Sequence, residues 1–154
     1  MWKTTAVVWS SAALFTLGCA SPTTVGMRSL AADGANNELA LAEQYEGELL
    51  RVTGRVVTIG QAKREVLNVE YSPMTMGTGT ATGTKGYELK PYVALSPEDG
   101  EGGVMLLCFF DLDRRGEVAA LERGQFVTVE GTYGAYGRTK DVPVLRLYEC
   151  SIAE

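Results

Sequence analysis

Val104-Met105-Leu106-Leu107-Cys108-Phe109-Phe110 is apolar at every position, and the charged stretch Asp111-Leu112-Asp113-Arg114-Arg115-Gly116-Glu117-Val118 follows at once. A short apolar run rich in Val and aromatics reads as a strand buried on both faces. The segment after it predicts a helix over 111–122, capped by Asp111 or Asp113, with Val118 and Leu121 facing inward and Gly124 as its stop. Working outward, 126–133 alternates Val127 and Val129 against Thr128 and Glu130, as a half-buried strand does. The last strand, 142–152, places Leu145 and Leu147 at opposite parity to Cys150 and Ile152, which requires a bulge near Tyr148-Glu149. Upstream, 87–96 alternates Leu89, Val93 and Leu95, and 48–59 places Leu50, Val52, Gly54 and Val56 on one face.

The predicted fold class is therefore all-β with minor α. Five strands, with a helix between the third and fourth, follow the plan of the OB fold, a small Greek-key barrel. A short N-terminal helix is predicted over 38–46, capped by Asn36 or Asn37, with Leu39, Ala42 and Tyr45 on one face and Gly47 ending it. The domain then spans 37–154, with a Gly/Thr-rich insertion at about 60–86. Within that insertion 64–71 alternates Leu67, Val69 and Tyr71 as an additional strand, while the rest is low-complexity and expected to be mobile. Gly83-Thr84-Lys85-Gly86 lacks the spacing and the hydroxyl of a phosphate loop.

Residues 1–19 read as an address. Ala6–Leu17 is apolar but too short to span a bilayer, which takes about 20 residues. Thr16-Leu17-Gly18-Cys19 resembles the lipobox of bacterial lipoproteins, with Thr16 where that pattern prefers Leu; the competing reading is ordinary cleavage after Ala20. With Cys19 lipidated, the following Ala20 rather than Asp resembles the enterobacterial sorting signal for the outer membrane, and that resemblance implies a lipid-anchored protein there; without the lipid the product is periplasmic. Residues 20–36 are small and polar and read as a flexible tether. Either cleavage leaves Cys108 and Cys150, an even pair that forms one disulfide or stays as two buried thiols.

Composition narrows the chemistry. The chain has no histidine, which removes imidazole bases and His-ligated metals. A formal net charge of −5 is the wrong sign for gripping phosphates by bulk electrostatics, so nucleic acid is a disfavoured partner. Asp111 and Asp113 are explained by capping and lack the further oxygens a calcium site needs. No cofactor, no metal and no enzymatic activity are expected.

The ordered set Leu41-Ala42-x-x-Tyr45-x-Gly47, Val52-x-Gly54-x-Val56, Tyr92-Val93-x-Leu95, Val104-x-Leu106-x-Cys108-Phe109-Phe110, Leu121-x-x-Gly124-Gln125-x-Val127-Thr128-Val129-x-Gly131 and Leu145-x-Leu147-x-x-Cys150-x-Ile152 resembles the tRNA-anticodon-like OB-fold family, which includes bacterial lipoproteins. The resemblance implies the fold and no catalytic signature. It also implies that the third and fifth strands lie side by side, bringing Cys108 and Cys150 together as a disulfide. OB folds bind oligomers through exposed rings on the second and third strands and in neighbouring loops. The candidate ligand-binding residues are Tyr92 on the second strand and Tyr133, Tyr136 and Arg138 in a Gly-rich turn, with Tyr71 near the insertion. For Tyr92 and Phe109 wall packing is the competing reading. The function expected is that of an exported, lipid-anchored binding module for an envelope protein, a glycan or a small ligand; the alternative is an oligonucleotide binder.

Overall fold

The computed structural model describes residues 21–72, 80–99 and 103–153. Cys19 and the signal segment lie outside them. The chain runs β1 (Thr23–Thr24), α1 (Met27–Asn36), α2 (Glu38–Tyr45), β2 (Leu49–Ser72), β3 (Thr80–Ser96), β4 (Met105–Phe109), a 3₁₀ turn (Leu112–Arg114), α3 (Arg115–Ala119), β5 (Phe126–Thr139) and β6 (Val142–Ile152). Strands β2, β3, β4, β6 and β5 follow one another around a barrel, which closes where Leu49–Arg55 of β2 pair antiparallel with Thr132–Phe126 of β5. Strands β4 and β6 are parallel, so the chain must cross between them; the 3₁₀ turn, α3 and β5 make that crossing. This is the OB-fold architecture.

The barrel is filled from the alternating positions of each strand. Leu50, Val52 and Val56 of β2, Val93 and Leu95 of β3, Leu106 and Cys108 of β4, and Leu145 and Leu147 of β6 are all buried, joined by Phe110 and Val129. Each such side chain contributes roughly 1.5–3 kcal/mol of burial. Strand β4 departs from the expectation of burial on both faces. Leu106 and Cys108 are buried, whereas Met105, Leu107 and Phe109 are half-buried, because no layer covers the outside of the barrel here. In β6 the predicted bulge is present. Glu130 pairs with Ser151 but Thr132 with Tyr148, and Glu149 takes φ +53 to absorb the extra residue.

Four expectations are corrected. First, 27–36 is a helix and not part of a tether: Met27, Leu30, Ala31 and Gly34 of α1 are buried in the core. A 3.6-residue spacing of small and apolar side chains suffices when the barrel supplies the other half of the contact. Second, 64–71 is strand as expected, but 80–86, expected to be mobile, is strand too; residues 73–79 lie outside the described residues. The first and second predicted strands extend into one antiparallel ribbon, paired continuously from Thr58↔Ala94 to Ser72↔Thr80, with Tyr71 opposite Ala81. Third, α2 is capped as predicted, Asn37 Oδ1 accepting from the Ala40 amide at 3.1 Å, but Leu41 faces inward while Leu39 is 76% exposed. Fourth, neither Asp111 nor Asp113 caps a helix through its side chain; the Asp111 carboxylate pairs instead with Lys90 Nζ at 3.2 Å.

Candidate functional site

Outward-facing positions of the central strands carry a band of rings. Tyr92 of β3 pairs in register with Phe109 of β4, their ring centroids 6.1 Å apart and tilted by 44°. Phe109 in turn stacks on Tyr148 of β6, at 5.4 Å and 18°. The band is seated on glycine at both ends. A Cβ at Gly134 of β5 would lie 2.0 Å from Tyr148 Cε2, and one at Gly60 of β2 would lie 2.9 Å from Tyr92 Cε1. Any side chain at Gly134 would therefore lift Tyr148 off the sheet, and the run Gly60, Tyr92, Phe109, Tyr148, Gly134 crosses all five barrel strands. Offset-stacked and tilted pairs of this kind add about 0.5–1.5 kcal/mol beyond their burial, yet Tyr148 remains 39% exposed.

Beside the band lies a cleft of about 390 Å³, lined by Ala62, Lys63, Lys90, Phe109 and Tyr148. The base of the β2–β3 ribbon forms one wall, since Ala62 pairs with Lys90 and Lys63 with Leu89. Lys90 is pinned by Asp111, while the Lys63 side chain is exposed. Arg146, two residues before Tyr148 on the same strand face, is half-buried and pairs in register with Leu107. A flat apolar platform flanked by cations in a protein of net charge −5 suits a ligand that offers ring faces and anionic groups.

The residues expected from sequence separate into two groups. Tyr92 belongs to the band. Tyr133 and Tyr136, expected to face solvent from a Gly-rich turn, are 5% and 8% exposed. The reason is that β5 continues to Thr139 and turns only at Lys140-Asp141, whose φ values of 49° and 66° suit a tight hairpin. The Tyr136 ring packs against α1, where a Cβ on Gly34 would approach it to 2.5 Å. The Tyr133 ring lies 6.2 Å from that of Tyr45 in α2; burial and the nearby Glu38 carboxylate raise its pKa. Arg138 is exposed and pairs with Pro143, at the hairpin rather than on the aromatic face. Phe109, Tyr148, Lys63 and Lys90 complete the site. Tyr148 could have been found from the parity of Leu145 and Leu147, which points it outward.

Cys108 and Cys150 meet as expected, but as thiols and not as a disulfide. The Cys150 Sγ–H donates to Cys108 Sγ across 2.7 Å, and both residues are buried. Burial, followed by the hydrogen bond and charge of Cys150, pushes the Cys108 pKa well up. The thiolate that would begin oxidation is thereby disfavoured.

Among solved structures, a proposed nucleic acid-binding lipoprotein from Klebsiella pneumoniae subsp. pneumoniae matches with TM-score 0.56 at 15% identity, covering 86% of this chain and 92% of its own. The N-terminal domain of an archaeal MCM matches with TM-score 0.47 and 12% identity over 85% of this chain and 62% of its own. The replication factor A related protein of Methanobacterium thermoautotrophicum gives TM-score 0.36 and 14% identity, over 71% of this chain and 84% of its own. At these identities the first likeness speaks to the fold, and the other two carry no further weight. No protein-family model matches the chain, and no curated protein does. The resemblance to the tRNA-anticodon-like family thus stands at the level of an OB fold.

Proposed function

We propose that this protein is an exported OB-fold binding module, anchored by lipid at Cys19 to the outer membrane. In this reading it holds an envelope ligand, a glycan or a small molecule with ring faces, on the outside of β3, β4 and β6. The observation that carries the binding site is the Tyr92–Phe109–Tyr148 band beside the lysine-lined cleft. Stacking on this platform needs no catalytic group, and the module is read as non-enzymatic.

The anchor reading rests on the lipobox-like Thr16-Leu17-Gly18-Cys19 and is consistent with the lipoprotein character ascribed to the Klebsiella protein. Labelling with a palmitate analogue tests it: label on the wild type and none on Cys19→Ala is expected, and an unlabelled wild type contradicts it. The binding reading is tested by titrating glycan fragments against wild type and a Phe109→Ala/Tyr148→Ala double variant. Loss of each ring is expected to weaken binding by about five- to 150-fold, the scale of roughly 1–3 kcal/mol per stacked ring.

Oligonucleotide binding is the second reading, favoured by the Klebsiella protein's description and by the cations beside the band. A net charge of −5 weighs against it. Fluorescence anisotropy with a single-stranded oligonucleotide separates the two readings, because binding that weakens steeply with added salt is the signature of phosphate contacts.

A further inference from the structure

Strand β1 and helix α1 occupy most of the stretch expected as a tether. Thr23 and Thr24 pair parallel with Leu50 and Arg51, and the Val25 amide donates to the Arg51 carbonyl at 3.0 Å. Thr23 stands four residues after Cys19, a reach of at most about 14 Å when fully extended. An acyl group on Cys19 would therefore hold the barrel on a short leash, without the 17-residue coil that composition suggests for 20–36.

The direction of the leash is also fixed. Because β1 is parallel to β2, the chain coming from Cys19 enters at the Leu49 end of β2. That end of the barrel is built from the C-terminus of α2 and the link to β2. The Glu48 amide there donates to the Tyr45 carbonyl and the Tyr133 amide to the Glu48 carbonyl. The other end of β2 lies far away. Beyond Gly60, whose partner Tyr92 is the last β3 residue that pairs with β4, the β2–β3 ribbon continues alone to Ser72↔Thr80. Those twelve residues span roughly 40 Å at strand rise.

We infer that the acylated protein stands directly on the bilayer by the Glu46–Glu48 end of its barrel, with the β2–β3 ribbon directed away from the lipid. This rests on the anchor reading above. Glu43, Glu46 and Glu48 are all exposed at that end, so charge does not draw it to anionic lipid. The covalent leash does the holding, and the aromatic band is presented on the flank of the barrel between membrane and ribbon tip.

The test uses the full acylated chain in phosphatidylcholine vesicles that carry a headgroup-attached nitroxide quencher. A fluorophore is installed through a non-canonical amino acid at position 46 or at position 61, where Gln61 is exposed at the base of the ribbon. Quenching several-fold stronger at 46 than at 61 is expected. A Gly/Ser spacer of roughly twenty residues after Ala20, with a reach on the order of 25 Å, should remove most of that difference. Equal quenching at the two positions, stronger quenching at 61, or a difference untouched by the spacer overturns the inference while leaving the anchor in place. Mass spectrometry showing Cys19 unmodified or absent overturns the anchor reading itself, and this inference with it.

Discussion

Two sets of tyrosines on one barrel have opposite fates. Tyr133 and Tyr136 of β5 point inward, in register with the buried Leu147 and Leu145, and α2 and α1 close over them; Tyr92 and Tyr148 point outward from β3 and β6 and remain partly open. The residue type is the same in both regions. What differs is the face of the sheet: Tyr133 keeps the inward parity of Val127 and Val129, whereas Tyr148 alternates with the buried Leu145 and Leu147. The inward rings are then sealed by helices distant in sequence, and the comparison can be broken by removing rings or by lifting the helix.

The largest effect is expected from truncating a covered ring. Tyr133→Ala should lose about 3–5 kcal/mol of stability, the range for deleting a buried aromatic. Tyr148→Ala should lose only about 1 kcal/mol, since its stacking on Phe109 is the main contact forfeited. Urea denaturation of both variants measures the difference, and equal losses would erase the distinction between the two regions.

Next is Gly34→Ala, which drives a methyl toward a buried ring 2.5 Å away. Overpacking of this kind costs about 1–3 kcal/mol, where an unstructured tether would tolerate the change freely. A midpoint unmoved from wild type would show that α1 is not docked on Tyr136.

Alkaline pH gives a smaller, graded effect. Cys108 and Tyr133 both hold their protons more tightly when folded, each chiefly through burial. The unfolded chain therefore binds fewer protons once pH exceeds its thiol value, and folding stability must fall as pH rises. The decline should begin near pH 8.5 for the thiol and gain a second component near pH 10 for the phenol, these being the unfolded values. Denaturation midpoints measured between these values should fall in the wild type and flatten in Cys108→Ala.

The smallest effect is expected at Tyr136→Phe. Among the described residues the Tyr136 hydroxyl is a buried group with no hydrogen-bond partner. Removing it should change stability by no more than about 1 kcal/mol, with gain as the expected sign. A clear loss would reveal a partner for that oxygen.

The barrel was legible because its strands alternate. The strand within Val104–Phe110, the parity break at Tyr148-Glu149 and the Asn37 cap each follow from the local sequence and are found in place, although β4 is fully buried on one face only. Two kinds of feature were not legible. Helix α1 has a weak apolar stripe of Met27, Leu30 and Ala31 with Gly34, and only the barrel surface gives that stripe something to bury against. The 80–86 segment is rich in Gly and Thr, which suggests a loop, yet backbone pairing with the opposite strand needs no large side chains.

The site was half legible for the same reason. Tyr92 stands out in an alternating strand. Tyr148 points outward by the parity of Leu145 and Leu147, but only the fold sets it on Phe109, and Gly134 looks like a turn residue when it is in fact the seat of the Tyr148 ring. The Tyr133-Gly134-Ala135-Tyr136 sequence carries no mark of the helices that cover it.

The most direct test of the aromatic face is an NMR titration of the isotope-labelled protein with envelope glycan fragments and, separately, a single-stranded oligonucleotide. Shift changes concentrated at Tyr92, Phe109, Tyr148 and Lys90, and abolished in the Phe109→Ala/Tyr148→Ala variant, are the expected result. Changes centred instead on Arg138 and the Lys140-Asp141 hairpin, or surviving in that double variant, would contradict it.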